Sequence, residues 1–324
     1  MKKYCFIAVA VLAVWVAFLL VKRSGEASSE PPVAASGSEE ESLRRSDSRS
    51  VANGEAGERV SLPSPELPEL SRDLVPAHLH SLFGWQNIGG YVPRRRMVEA
   101  IDHKLSFDEI RALLLFARSK PSDVGLSESD FNGVGDVVLL KLEEQEPLPE
   151  DYTDHLVVMF YDESLNQQWR DYCIQHLGTV FPRTPEETRP VIRQLYEDAI
   201  KPGSQFAGTT LLSMKRSTQG SDLSETWVAE KAMMVASSTQ YTDAERLSAL
   251  AVAAEFNYPD AIVLAREIVV SKRSAVFRMA SLAVIGSHGD ASDRPLLEKY
   301  SKSSDIRLRT AATEALKRLN HGTH

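Results

Sequence analysis

Apolar and small residues recur along the C-terminal two thirds of this chain at the spacing of one helical face. Counted from Arg309 they fall at offsets of +2, +4 and +7, on Ala311, Thr313 and Leu316. The same ruler laid from Arg278 lands on Ala280, Leu282 and Ile285, from Arg246 on Ser248, Leu250 and Ala253, and from Arg170 on Tyr172, Ile174 and Leu177. With Ala207 in the reference slot it marks Thr209, Leu211 and Met214, so successive references are 37, 39, 32 and 31 residues apart. Such offsets share one side of a 3.6-residue helix, so each segment is expected to bury that stripe.

Ahead of each of these helices runs another amphipathic stretch: "DYTDHLVVMFYDE", "PEETRPVIRQLYEDAI", "SETWVAEKAMMVASS", "PDAIVLAREIVV" and "DRPLLEKYSKS". A further pair, "SFDEIRALLLFARS" and "SESDFNGVGDVVLLKLEEQE", precedes the first. Gly178, Pro182, Pro202-Gly203, Pro259 and Gly286 to Gly289 fall between stretches and read as helix stops. Six helix pairs result. A pair of about thirty-five residues cannot cover its own apolar stripe, whereas stacked pairs cover one another, so the expected fold is an all-α solenoid over residues 104–320.

The run "SAVFRMASLAVIGSHGDASDRPLLEKYSKSSDIRLRTAATEALKRL" resembles tandem HEAT repeats of the short bacterial kind grouped with phycobilisome-lyase-like repeats. The resemblance is carried by Val276, Arg278, Ala280, Ile285-Gly286, Gly289-Asp290 and Pro295-Leu296-Leu297, and is best over residues 243–319. It implies a structural role for the recurrent arginines: in such repeats a turn aspartate and an arginine on the second helix tie adjacent units together. Arg170, Arg246, Arg278 and Arg309 are the arginines in question, with Asp305 four residues before Arg309 and Asp243 three before Arg246. Acid before base also suits the helix dipole.

The N-terminal part is of another kind. Tyr4 to Val21 is uncharged and mostly apolar, bounded by Lys2-Lys3 and Lys22-Arg23. At 1.5 Å per residue it nearly crosses a hydrocarbon core of about 30 Å, so residues 1–23 are expected to be a membrane anchor acting through residues 4–21. The alternative is a signal segment cleaved near Gly25-Glu26-Ala27. Residues 24–75 are rich in Ser, Glu and Pro and lack aromatics, the composition of a disordered linker. Residues 76–103 place Phe83, Trp85 and Tyr91 among glycines, as an irregular cap with a first helix, and Arg94-Arg95-Arg96 reads as a solvated face. The expected placement is a single-pass membrane protein with an extracytoplasmic body in a bacterial envelope, or an exported one if the segment is cleaved.

Charge refines this picture. The chain's net −8 divides into +4 over residues 1–23, −6 over 24–75, −11 over 76–265 and +5 over 266–324. Such polarity can steer a partner. Chemistry is sparse. The sequence has no G-x-S-x-G, phosphate-cradling loop, H-E-x-x-H or DNA-binding signature. The close histidine pairs, His78/His80 and His321/His324, sit toward the ends. Cys173 and His176 lie three apart without a second ligand pair, and read as a buried thiol and a partly exposed imidazole. Glu143, Glu144, Glu146, Glu150, Asp151 and Asp154 read as a solvated connection. No catalytic residue, metal site or cofactor is expected, and nucleic acid is not an expected partner.

The positions flanking the buried stripe, at +1 and +5 of the second helices, carry little charge, and Leu212, Leu247 and Met279 there are expected to form a shallow apolar groove. The function expected is a membrane-tethered, non-catalytic scaffold or adaptor that binds a protein partner. Two alternatives stay open. One, from the resemblance, is an enzyme or lyase-accessory role. The other is an anionic-polymer binder using Arg273, Arg278, Lys299, Lys302, Arg307 and Arg309.

Overall fold

The computed structural model describes residues 68–86, 89–101 and 103–321. Within them the chain is all-α, with thirteen α-helices and no strand. After the short α1 (Tyr91–Glu99) come α2 (Phe107–Arg118) with α3 (Glu128–Glu143), α4 (Tyr152–Tyr161) with α5 (Gln167–Val180), and α6 (Arg189–Ala199) with α7 (Ala207–Ser217). Then follow α8 (Glu225–Ser237) with α9 (Asp243–Glu255), α10 (Pro259–Val270) with α11 (Ala275–His288), and α12 (Arg294–Tyr300) with α13 (Ile306–His321). Among these residues no helix is long and apolar enough to cross a membrane. The anchor read over residues 1–23 and most of the linker lie outside the described residues.

Local chemistry sets the helix starts. Ser127, Asn166, Ser224 and Ser274 each accept the third backbone N–H of the helix they open, and Ser106 with Glu109 and Thr242 with Glu245 close full capping boxes. Helices α6, α10 and α12 instead begin with proline in the first turn, where its missing N–H costs nothing. Pro259 therefore starts a helix.

Packing follows chain order. Each first helix lies against its own second helix, and each second helix lies against the next, from α3 through α5, α7, α9 and α11 to α13. Ile174, Leu250 and Leu282 are fully buried in this row, as are Trp169 and Phe277. At the N-terminal end, Leu79, Leu82 and Phe83 are buried, and an aromatic series runs Phe83, Phe116, Phe131, Trp169 at centroid separations of 5.7, 5.2 and 5.3 Å. Burying each such ring contributes about 2–3 kcal/mol, so this series holds the irregular segment to α2, α3 and α5.

Three sequence readings change here. The +4 and +7 positions are buried through α11, but the +2 positions Tyr172, Thr209, Ser248, Ala280 and Ala311 are all only half-buried. A second buried stripe at +3 and +6 accompanies them: Cys173 and His176, Thr210 and Ser213, Ala249 and Val252, Ser281 and Val284, Ala312 and Ala315. Two buried stripes are needed because each second helix touches a neighbour on both sides. At α13 no further pair follows among the described residues, and Thr313 at +4 is exposed.

Gly178 and Gly286 are not stops. Each lies inside its helix, at +8, where the next second helix comes closest. A Cβ on Gly178 would stand 2.8 Å from Ser213 Cα, and one on Gly286 would stand 2.5 Å from Ala315 Cα. Glycine is required because no side chain fits between two helix backbones. In α7 the same slot holds Lys215, whose ammonium reaches over to Glu255 at the end of α9.

Arg94 is not part of a solvated face. It is 6% exposed, with Nη1 donating to Leu82 O at 3.1 Å and to Val124 O at 2.6 Å, so it staples the irregular segment to the α2–α3 connection. Burial pulls its pKa down from the ordinary value. Arg95 does face solvent, and pairs with Glu99 at 2.7 Å.

Candidate functional site

The surface of the second-helix row comes first, because its residues are uncharged where the chain passes from its acidic part, 76–265, to its basic part, 266–324. In α7, α9 and α11 the +1 and +5 positions are Gly208 and Leu212, Leu247 and Ala251, Met279 and Ala283, all half-buried. Leu212, Leu247 and Met279 rest on the core with part of each side chain in solvent. The strips of neighbouring helices adjoin: the Cβ position of Gly208 is 3.4 Å from Ser248 Oγ. At one end of the row Asp171 accepts Gln175 Nε2 at 3.1 Å, and at the other Thr310 and Glu314 are exposed. The row is a shallow surface. Clefts beside Arg266 and beside Arg170 are lined by other residues.

The recurrent arginines share one geometry, and aspartate is a minor part of it. Arg170 Nε donates to Phe160 O at 2.7 Å, Arg246 Nε to Ala236 O at 3.0 Å, and Arg278 Nε to Val269 O at 3.0 Å. Each acceptor is the penultimate residue of the preceding first helix. A cation there satisfies an orphan carbonyl and meets the negative end of the helix dipole. Each guanidinium then covers an aromatic ring from the next pair: Phe206 at 5.0 Å, Phe277 at 5.0 Å and Tyr300 at 5.2 Å. Arg309, in the last described pair, reaches Ser303 O at 3.0 Å, and among the described residues no ring lies under it. The expected Asp305–Arg309 pair is absent: Asp305 holds Arg307 at 3.2 Å, while Asp243 lies 3.8 Å from Arg246 and 3.7 Å from Arg273.

A buried polar cluster links α3 to α5. His176 is 5% exposed; its Nδ1 faces Glu143 Oε1 at 2.8 Å and its Nε2 faces Asp136 Oδ1 at 3.2 Å. The reading of His176 as partly exposed, and of Glu143 as part of a solvated connection, is thus corrected. Two carboxylates facing both ring nitrogens are satisfied only by an imidazolium, which donates twice. Burial alone lowers the His176 pKa, but the hydrogen bonds it donates to Asp136 and Glu143 outweigh it and the net shift is upward. Arg183 Nη2 donates to Glu143 O at 2.8 Å beside the cluster. Cys173, one turn earlier, is fully buried and its thiol pKa is pushed up by desolvation. Such a thiol is a poor nucleophile.

Near the N-terminal end, His78 Nε2 and His103 Nε2 both meet Glu109 Oε1 at 3.0 Å. Burial pushes the Glu109 pKa up, but Ser106 and His103 outweigh it and bring it down to about 2. His80 Nε2 lies 2.9 Å from Val75 O. Among the described residues no grouping of His, Cys, Asp and Glu is arranged to hold a metal ion. The sequence reading missed Asp136 and Glu143 as a pair. Their spacing of seven, two helical turns, was the available signal.

The cations proposed for an anionic polymer are partly engaged within the chain. Arg278 is held by Val269 and Tyr300, Arg307 by Asp305, and Arg273 by Asp243, while Lys299 lies over Tyr300 at 5.8 Å.

No family model, curated protein or solved structure matches this chain.

Proposed function

We propose that this chain is a non-catalytic protein-binding module: a HEAT-like solenoid of six helix pairs that receives a protein partner along its row of second helices. The observation that carries the reading is the uncharged, half-exposed strip through Leu212, Leu247 and Met279, on three successive second helices, α7, α9 and α11. A row of small and apolar side chains suits an apolar helix or peptide better than a charged substrate. Tethering to a membrane through residues 4–21 belongs to the same proposal.

A photo-crosslinking side chain at Met279, used in intact cells, identifies what lies against the strip. The captured protein is then purified and titrated against the full chain. Leu212→Asp and Met279→Asp are expected to weaken its binding at least about tenfold; since both side chains also rest on the core, the thermal midpoint falls as well, and a retained helical circular-dichroism spectrum shows that the variants tested are folded. Unchanged affinity in both variants would sink the proposal.

A further inference from the structure

Arg170 differs from the other arginines of its series in what surrounds its outer edge. Its Nε is used on Phe160 O, and its guanidinium carbon lies 5.5 Å from the Phe160 ring centroid and 5.0 Å from that of Phe206. The two rings pack edge to face at 5.3 Å, and the guanidinium rests against both from one side, which together with the Nε contact holds it in place. Arg246 has Asp243 beside its Nη1, and Arg189, Arg193 and Arg266 each hold an aspartate, but among the described residues no carboxylate pairs with Arg170. The two residues where an acid would stand by analogy, four and three before it, are Asn166 and Gln167.

Arg170 lines a cleft of about 290 Å³ formed by the ends of α4 and α6, the first turn of α5 and the loop entering α7, with Tyr161, Gly203, Ser204 and Gln205 around it. One acid, Asp198, also lines this cleft, and its oxygens are taken: Tyr161 Oη donates at 2.8 Å, Lys201 Nζ at 2.6 Å and Gln194 Nε2 at 3.1 Å. The cleft therefore offers a fixed cation with terminal N–H groups to spare, aromatic walls, and one satisfied anion.

We infer that this cleft receives the carboxylate of an acidic side chain, Asp or Glu, carried on an extended peptide of a protein partner. The planar fork of a guanidinium matches a carboxylate in two parallel hydrogen bonds, and the phenyl walls accept the aliphatic stem. A volume of this size holds one or two side chains, not a folded domain. Asp198 weighs against a phosphate, because a dianion would sit in one small cleft with a carboxylate. The inference rests on reading the chain as a protein-binding module, but it uses a surface other than the strip of second helices. Met279→Asp leaves this cleft untouched, so the two ideas fail separately.

The test titrates full-length protein, labelled with ¹⁵N in arginine, with a tetrapeptide pool, acetyl-Xaa-Xaa-Glu-Xaa-amide, in which Xaa is any residue except Asp and Glu, and follows the Arg170 Nε–Hε signal. The Glu pool is expected to shift that signal at millimolar concentration, and the matching Gln pool to need at least about tenfold more. Arg170→Lys keeps the charge but loses the fork and the Nε contact to Phe160 O; it also loses the reporting signal, so it is compared with the wild type by isothermal titration calorimetry, where binding is expected to weaken about tenfold. Gln205 is exposed at the rim, so Gln205→Glu tests the same attraction without touching the fold: it weakens binding, and Gln205→Lys strengthens it. Equal response to the Glu and Gln pools, indifference to both Gln205 changes, or tighter binding of a phosphoserine pool would each overturn the inference.

Discussion

The guanidinium of Arg246 lies 5.0 Å from the ring centroid of Phe277, while its Nε holds Ala236 O at 3.0 Å. One side chain thus joins three helices: it belongs to α9, closes the C-terminus of α8 and roofs a core ring of α11. Phe277 sits immediately before Arg278, which repeats the arrangement toward Val269 and Tyr300. Three of the five junctions between pairs are fastened in this way, by Arg170, Arg246 and Arg278, each on an aromatic ring of the next pair.

Arg246→Ala is expected to destabilise the protein by about 2–3 kcal/mol, since a 3% exposed cation loses its carbonyl, dipole and ring contacts together. Arg309→Ala, at an exposed position in the last pair, is expected to cost under about 0.5 kcal/mol. Chemical denaturation of the two variants in parallel checks the contrast. Equal effects would show that the ring contact and the buried carbonyl contribute little.

At an exposed helix site Gly→Ala stabilises by about 1 kcal/mol. At Gly178 and Gly286 the opposite sign is expected, a loss of about 1–3 kcal/mol, because the new methyl group meets a helix backbone that cannot move aside as a side chain could. Thermal unfolding of Gly178→Ala and Gly286→Ala decides the sign directly.

The His176 cluster predicts a pH dependence. Its folded-state pKa is raised above the ordinary 6.5, so its contribution is fully present below about pH 6.5 and is lost as the pH rises through the folded-state value. Denaturation midpoints from pH 6 to 9 are expected to fall, and His176→Gln is expected to flatten that limb. Glu143→Ala, which strips a buried imidazolium of one partner, is expected to cost about 3 kcal/mol at pH 6. An imidazole NMR spectrum showing a single ring proton at pH 6 would contradict the assignment.

Glu109 acts at the other end of the scale. With its pKa lowered to about 2, its contribution is present above the ordinary value of 4.5 and is lost as the pH falls toward 2. Glu109→Gln, which can keep the capping box, is expected to cost about 1 kcal/mol at pH 7 through loss of the carboxylate facing His78, His103 and the helix N-terminus, and to shrink that loss in acid. Acid titration followed by far-ultraviolet circular dichroism measures both.

Helix positions were largely legible in the chain. "PDAIVLAREIVV" is α10 residue for residue, because a proline start and an apolar period are properties of twelve consecutive residues. The contacts among these helices were less legible. The +2, +4, +7 ruler found one buried stripe and overlooked the +3 and +6 stripe, since serine, threonine, alanine and cysteine there carry no strong apolar signal. They are small because a neighbouring backbone lies against them. Arg94 was misread for a related reason: the carbonyls of Leu82 and Val124 that receive it are not visible as a motif.

The amino-acid order by itself determined that the body is helical, where most helices begin, and that they come in pairs, since helical period and capping act within a few residues. Only the tertiary structure decided which faces meet, why Gly178 must be glycine, and that His176 would lie between Asp136 and Glu143, 40 and 33 residues away. Those partners are chosen by the stacking of one pair on another, and a spacing along the chain carries no record of which distant carboxylate a buried imidazole will face.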